Sequence, residues 1–348
     1  MSKQEIIGKT FEGEDVIKYT LTNASGIKVE ILNLGGIINS IFAPDRDGNI
    51  ADVVLGFNKP EQYINNTAYL GAVIGRIGNR IAKGKFSLNN KEYNLYLNDG
   101  PNHLHGGKKG FDKRIFNCTP IGDNALELSL VSPDGEENYP GTVDVKVTYS
   151  LSDDGKLAIN YIAHSDSDTV LNLTNHAYFN LAGHDSGDVL NHELMINADK
   201  FTPVDGTLIP TGELRSVENT PMDFRTLKKI GLGIADKYEQ IVFGNGYDHN
   251  YVLNTNGDLS QLCSEVYEPA SGRVMKVYTT KPGVQFYSGN FLNGTETGKG
   301  GKPYKRNAGL CLETQFFPNA INTPEFESGI LKAGEEYNHT TIYQFLIK

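Results

Sequence analysis

Val143, Val145, Val147, Tyr149 and Leu151 alternate with polar residues, Asp153, Asp154 and Gly155 interrupt the run, and Leu157, Ile159, Tyr161 and Ala163 resume it. Successive side chains on a strand point to opposite faces, so two such runs joined at an Asp-Gly turn form an antiparallel hairpin. One face of that hairpin is apolar throughout and must be covered by a second layer. Runs of the same character recur at 28–32, 85–97, 126–131, 193–198, 273–279 and 341–347, most of them bounded by Gly, Pro, Asn or Asp.

Helical candidates are short: 59–63, opened by Pro60, and 225–234, which Gly231 and Gly233 weaken. No strand–helix alternation, internal repeat, low-complexity tract or Pro/Ser linker divides the 348 residues. The expectation is a mainly β chain folded as a single domain over residues 1–348, one large antiparallel β-sandwich with few short helices. The polar, Gly-rich stretch 293–307 reads as a long surface loop.

Charge narrows the partners. Lys and Arg number 32 against 42 Asp and Glu, a net charge of −10 that argues against nucleic acid or an anionic membrane surface. Residues 1–13 carry no apolar leader and no segment is long enough to span a bilayer, so the expected compartment is the cytoplasm. Cys118, Cys263 and Cys311 are far apart and form no C-x-x-C pair, which predicts buried reduced thiols rather than disulfides or a thiolate zinc site.

Six segments carry candidate chemistry. Residues 71–80 (GAVIGRIGNR) lack the glycine spacing of a dinucleotide loop, but Arg76, Asn79 and Arg80 are donors suited to hydroxyls or carboxylates, or to a structural role. In 102–107 (NHLHGG) His103 and His105 stand at i and i+2, the same side of a strand. That spacing permits a metal site with Glu313, His176 or the Asp248/His249 pair, or an imidazole bonded to backbone. Residues 172–181 (NLTNHAYFNL) surround His176 with Asn175, Tyr178 and Asn180, polar groups able to fix an imidazole's tautomer and charge, or simply to satisfy a core histidine.

Asp248, in 246–251 (GYDHNY), reads as a turn carboxylate. Residues 282–290 (PGVQFYSGN) set Gln285 and Tyr287 against Val284, Phe286 and Ser288 on the two faces of a strand. Glu313 sits in the apolar run 310–319 (LCLETQFFPN), where a carboxylate must be paired or functional.

Taken in order, these segments resemble the aldose 1-epimerase (galactose mutarotase) family. The matching pieces are 52–57 (DVVLGF), 71–84, 102–112, 132–137 (SPDGEE) with 139–141 (YPG), 172–183, 208–212 (LIPTG), 248–250 (DHN), 279–292 and 311–315 (CLETQ), and they extend from about residue 25 to the C-terminus. Departures are small: Gly78 stands where relatives often have Ala, and Phe317 where they often have a sugar-stacking Trp, in a chain with no Trp.

The resemblance implies a β-sandwich of the galactose-mutarotase (supersandwich) type that interconverts the α and β anomers of free aldohexoses such as galactose and glucose, with no metal or other cofactor. It implies Glu313 as general base on the C1 hydroxyl, His176 as general acid on the ring oxygen, and Asn79, Arg80, His105, Asp248 and Gln285 as sugar-binding groups. Opening a hemiacetal needs one proton to leave O1 as another reaches O5, which one base and one acid supply. The implied partner is a small monosaccharide, with no nucleic acid and no membrane, and the sequence leaves the oligomeric state open. A hexose-6-phosphate 1-epimerase and a non-catalytic sugar-binding relative are the competing readings; the coexistence of His176 and Glu313 speaks against the latter.

Overall fold

The computed structural model describes residues 3–295 and 297–348. The expected hairpin forms: Val143–Leu151 pairs antiparallel with Lys156–Ser165, Leu151 opposite Leu157. Val145, Val147, Tyr149, Ile159 and Tyr161 are buried on its inner face, while Asp144 and Lys146 point outward. This hairpin belongs to a nine-stranded sheet. On one side follow Ala125–Ser132 and Asn117–Ile121; on the other come Glu336–Ile347, Arg273–Thr279, Ser264–Tyr267, Glu193–Ile196 and Lys228–Lys229. The C-terminal strand thus runs through the middle of the sheet and joins strands far apart in sequence.

Two five-stranded sheets complete the layers. Lys3–Lys9 to Ile50–Asp52 form an N-terminal meander, and Arg215–Ser216, Lys200–Phe201, Asp248–Val252, Gly283–Tyr287 and Cys311–Gln315 lie side by side in that order. Among the described residues none of the sheets closes into a barrel. One continuous core contains Val147 and Tyr149 of the large sheet, Ile31 and Ile38 of the meander, and Phe286 and Leu312 of the third sheet. Each such side chain contributes about 1.5–3 kcal/mol on burial. Tyrosines tie the layers by donating to opposite carbonyls, Tyr149 Oη to Gly36 O at 2.7 Å and Tyr343 Oη to Leu312 O at 3.0 Å.

Several local expectations change. Pro60–Asn65 is helical, with Pro60 in its first turn. Residues 225–234 are not: they give the strand Lys228–Lys229 and a 3₁₀ turn at Ile230–Leu232, because Lys228 pairs with Leu194 at the sheet edge and Gly231 and Gly233 favour no helix. The helix lies instead at Glu239–Gly244, closed by Asn245 in the left-handed region. The run 85–97 splits into a hairpin, Lys85–Leu88 with Lys91–Asn94, turning on Asn89 and Asn90 at φ +51° and +61°. Asp248 opens a strand, not a turn.

The 293–307 stretch, of which residue 296 lies outside the described residues, is anchored by buried Lys299. Its Nζ bonds Asp52 Oδ2 and Asn39 O, each at 2.6 Å. No helix among the described residues is long and apolar enough to cross a membrane.

Arg76 proves structural. Fully buried, its guanidinium donates to Ser132 Oγ and to the carbonyls of Ser132, Pro133 and Pro140 at 2.7–3.0 Å. It satisfies a chain reversal that has no sheet partner, so Arg76→Met should strand two buried acceptors, the carbonyls of Ser132 and Pro140. We expect a loss of about 3 kcal/mol or more in urea unfolding; a midpoint equal to wild type would show that these carbonyls find other donors.

Candidate active site

The strands Asp248–Val252, Gly283–Tyr287 and Cys311–Gln315 are buried on both faces, and their alternation sorts two chemistries. His249, Tyr251, Phe286 and Leu312 point into the protein interior. The other face carries two cross-strand rows, Asn250–Gln285–Glu313 and Asp248–Tyr287–Cys311. Asp248, Tyr287 and Glu313 from these rows line a cavity of about 560 Å³, together with Tyr69, Asn79, Arg80, His105, His176 and Tyr178. Of the residues expected from sequence, only Gln285 does not line the cavity; its Nε2 donates to Asp248 Oδ1 at 2.7 Å.

Arg80 and His105 meet because Arg80–Ile81 pairs with His103–Leu104, and the strand then ends at His105, whose φ is +50°. Gly106 follows at φ +85°, where a Cβ would lie 1.9 Å from Gly75 O, so the backbone after His105 can approach its neighbour only as glycine. The same break separates the two imidazoles that the i, i+2 spacing had placed together. His103 bonds Tyr96 O at 2.7 Å through Nδ1 and the Tyr139 hydroxyl at 2.6 Å through Nε2, and is structural.

His176 follows the short strand Thr174–Asn175, which pairs with Val73–Ile74. The surrounding amides act on backbone rather than on the ring: Asn175 bonds Gly71 O and Ala177 N, Asn172 bonds both main-chain groups of Phe316, and Asn180 bonds Gly187 O and Ala308 O. They satisfy an irregular chain that is buried and has no long ladder. The His176 ring itself lies between Tyr69 and Tyr178, at centroid distances of 5.9 and 5.0 Å. Its Nδ1 faces Cys311 Sγ at 3.5 Å and its Nε2 faces Glu313 Oε1 at 3.6 Å.

Electrostatics follow from burial. Desolvation pushes the Glu313 carboxyl well above the usual carboxylate range, with Asp248 adding to the rise and Arg80 opposing it. Desolvation also pulls His176 down to about 4. Burial thus favours a neutral acid beside a neutral imidazole. That pair holds one proton, the same number as the ionised Glu313 and protonated His176 that the chemistry requires, so one transfer between them converts the first form into the second. Glu313 Oε2 is buried with no hydrogen-bond partner among the described residues. Burial likewise raises Asp248, against the attraction of Arg80, whose guanidinium is held by Asp99 at 2.7 Å and stands 3.9 Å from Asp248 Oδ2.

His105, His176 and Glu313 each bring one possible metal-ligand atom within 4.8 Å of the others. The tautomer of His105 works against a metal there. Its Nδ1 accepts the Asn79 backbone N–H at 3.1 Å, so in the neutral ring the proton sits on Nε2, which presents a donor to the cavity and not a lone pair. Burial, with His176 and Arg80 adding to it, holds this ring well below the ordinary imidazole range and keeps it neutral.

Sequence reasoning missed Tyr69 as a cavity wall and Asp99 as the partner of Arg80, whereas Tyr178 and Tyr287, singled out beside His176 and Gln285, do line the cavity. Tyr69 stands in no motif, and Asp99 lies in a turn-rich stretch with no spacing that links it to Arg80. Phe317, expected at a stacking position, packs edge-on against Phe326 at 5.2 Å and does not line the cavity; Phe291 and Tyr287 do.

A β-sandwich that sets a buried carboxyl against a buried imidazole, with oriented donors around both, is the scaffold of an acid–base enzyme. The chain belongs to the aldose 1-epimerase family, whose model matches residues 18–344. It is 48% identical to galactose mutarotase of Sus scrofa over 345 residues, 99% of this chain and 98% of that one. It is 40% identical to aldose 1-epimerase of Escherichia coli K12 over 338 residues, 96% of each chain. Among solved structures, the aldose epimerase homologue from C. elegans superposes with a TM-score of 0.88 at 30% identity, covering 95% of this chain and 99% of that one. Galactose 1-epimerase from Lactobacillus acidophilus matches at 0.88 and 29%, covering 100% and 99%.

Sugar binding by Arg80 and His105 is the expectation that kinetics can test, because orienting donors affect binding and turnover together. Arg80→Ala and His105→Ala should each raise KM and lower kcat, by about tenfold or more in kcat/KM, measured by polarimetry. Wild-type kinetics in both variants would remove them from the site.

Proposed function

We propose that the chain interconverts the α and β anomers of free aldohexoses, galactose and glucose among them, through proton transfer by Glu313 and His176. The observation that carries this reading is the juxtaposition of the two buried groups, Nε2 to Oε1 at 3.6 Å, on the wall of a cavity that also holds Asn79, Arg80, His105 and Asp248. The activity is that of the family to which the chain belongs, and the substrate is a small sugar.

In the working form, ionised Glu313 takes the proton of the O1 hydroxyl. The C1–O5 bond then breaks as C1=O1 forms, and O5 receives the Nε2 proton of His176. Rotation about C1–C2 turns the other face of the carbonyl to O5. On reclosure O5 returns its proton to His176 as it bonds C1, and Glu313 gives its proton back to O1. Every proton returns to its source, so the cycle calls for no cofactor.

His105 Nε2–H and the Arg80 guanidinium donate to sugar hydroxyls, Asn79 adds an amide, Asp248 accepts a hydroxyl proton, and Gln285 acts through Asp248. A free sugar fits better than a phosphate ester, which calls for a cluster of free cations. Of the two lysines at the cavity among the described residues, Lys113 is taken up by the carbonyls of Tyr63 and Asn66 and by Asp112, which leaves Lys108, its Nζ 5.8 Å from the Tyr96 ring, beside an Arg80 held by Asp99. A family match over 18–344 and a continuous core support one domain, and three free cysteines fit a reducing, cytoplasmic compartment.

The pH profile of kcat/KM should be bell-shaped. On the acid side the pair takes up a second proton, near the depressed value of about 4 for His176. On the alkaline side it loses its only proton, at a pH above the ordinary carboxylate range because burial raises Glu313. Glu313→Gln and His176→Asn should each lower kcat by roughly 10² to 10⁴ with smaller changes in KM. Wild-type turnover by folded Glu313→Gln protein would show that another group is the base. Exhaustive chelation should leave the rate unchanged, and a loss reversed by one particular metal would reinstate the cluster of His105, His176 and Glu313 as a metal site.

A further inference from the structure

Behind the cavity wall, three amides and a carboxylate form one directed chain. Gln315 Nε2 donates to Asn250 Oδ1 at 3.2 Å and to Gln285 Oε1 at 3.0 Å, and Gln285 Nε2 donates to Asp248 Oδ1 at 2.7 Å. The direction is not interchangeable. Ionised Asp248 can only accept, so Gln285 must turn its nitrogen toward it and its oxygen toward Gln315. Only a donor at 315 is compatible with that arrangement, and Gln315 is fully buried on the strand that carries Glu313.

The arrangement carries an energetic cost that packing alone would not select. Gln315 Oε1 and Asn250 Nδ2 are buried without partners among the described residues. Apolar side chains of the same shape would avoid that loss. The space is nevertheless built for amides: opposite Gln315 in register stands Gly283, where a Cβ would lie 2.4 Å from Asn250 Oδ1. A polar row retained at a cost, ending on a carboxylate in the cavity wall, has its use in orientation.

We propose that Gln315, backed by Asn250, is a positioning residue that locks Gln285 and through it Asp248, so that the second oxygen of Asp248 is aimed at one sugar hydroxyl. Neither Gln315 nor Asn250 lines the cavity, so their effect passes through Asp248. The inference rests on the proposed reading of Asp248 as a sugar-binding group. It assigns Gln315 to hydroxyl discrimination and leaves proton transfer to Glu313 and His176.

The test is a comparison of KM and kcat for the parent hexose and its singly deoxygenated analogues, in wild type, Asp248→Asn and Gln315→Met. In wild type, the analogue lacking the hydroxyl read by Asp248 should lose roughly tenfold in kcat/KM, the range of a hydrogen bond to a charged group. Asp248→Asn should shrink that loss. Gln315→Met should shrink it to about threefold or less, raise KM for the parent sugar and keep kcat within about twofold, with a lower melting temperature because Asn250 Oδ1 and Gln285 Oε1 lose their donor.

A merely structural role would lower stability while preserving the loss for each analogue, and that result would overturn the proposal. Should the methionine variant fail to fold, Gly283→Ala acts on the same row by displacing the Asn250 oxygen, and it should shrink the same analogue's loss. If Asp248→Asn alters no analogue's loss, the binding assignment of Asp248 fails. If it does and Gln315→Met does not, the positioning role alone fails.

Discussion

The structure depends on keeping ionisable groups out of water without pairing them tightly. Glu313 stands on a strand whose five residues are all buried, and its nearest basic neighbour, His176, is itself buried and 3.6 Å away. A closer contact would fix an ion pair, and full exposure would leave two ordinary solvated groups. At this separation desolvation drives both toward neutrality while they share one proton, a state that one proton transfer turns into a base and an acid. The rest of the molecule holds those two side chains at that spacing.

Three features perform the holding. The continuous core fixes the strands Asp248–Val252, Gly283–Tyr287 and Cys311–Gln315 from behind, through Phe286 and Leu312. Short paired segments, Arg80–Ile81 with His103–Leu104 and Val73–Ile74 with Thr174–Asn175, bring the remaining groups over that sheet. Side-chain amides then satisfy the backbone where these segments leave regular pairing. The polar density around His176 is thus the consequence of burying irregular chain, and it is compatible with catalysis because the ring's contacts are aromatic faces, a thiol and the carboxyl across from it.

The groups around the cavity are oriented from outside it. His105 Nε2–H is directed by the Asn79 backbone N–H on the other ring nitrogen, and burial keeps that ring neutral. The acceptor Asp248 is oriented from behind by Gln285 and flanked by Arg80, which Asp99 restrains. Rigid orientation of this kind lowers the reorganisation needed as the sugar ring opens.

The sequence by itself determined the sandwich and the candidate residues. The period-two run at 143–163 could be nothing but a hairpin, and an ordered set of motifs distributed along the chain identified the family and pointed to Glu313, His176, Arg80, His105 and Asp248. Only the tertiary structure decided which residues meet. His103 and His105 share a spacing but not a site, because a left-handed residue ends the strand between their environments. Arg76 and Arg80 share a segment, yet one holds the carbonyls of a chain reversal and the other lines the cavity. Tyr69 and Asp99 carried no sequence signal, and residues 225–234 became an edge strand rather than a helix. The reason is the same in each case: periodicity reports the face of an element, a local property, whereas hydrogen-bond partners and burial depend on chain outside that element, which only the fold brings to it.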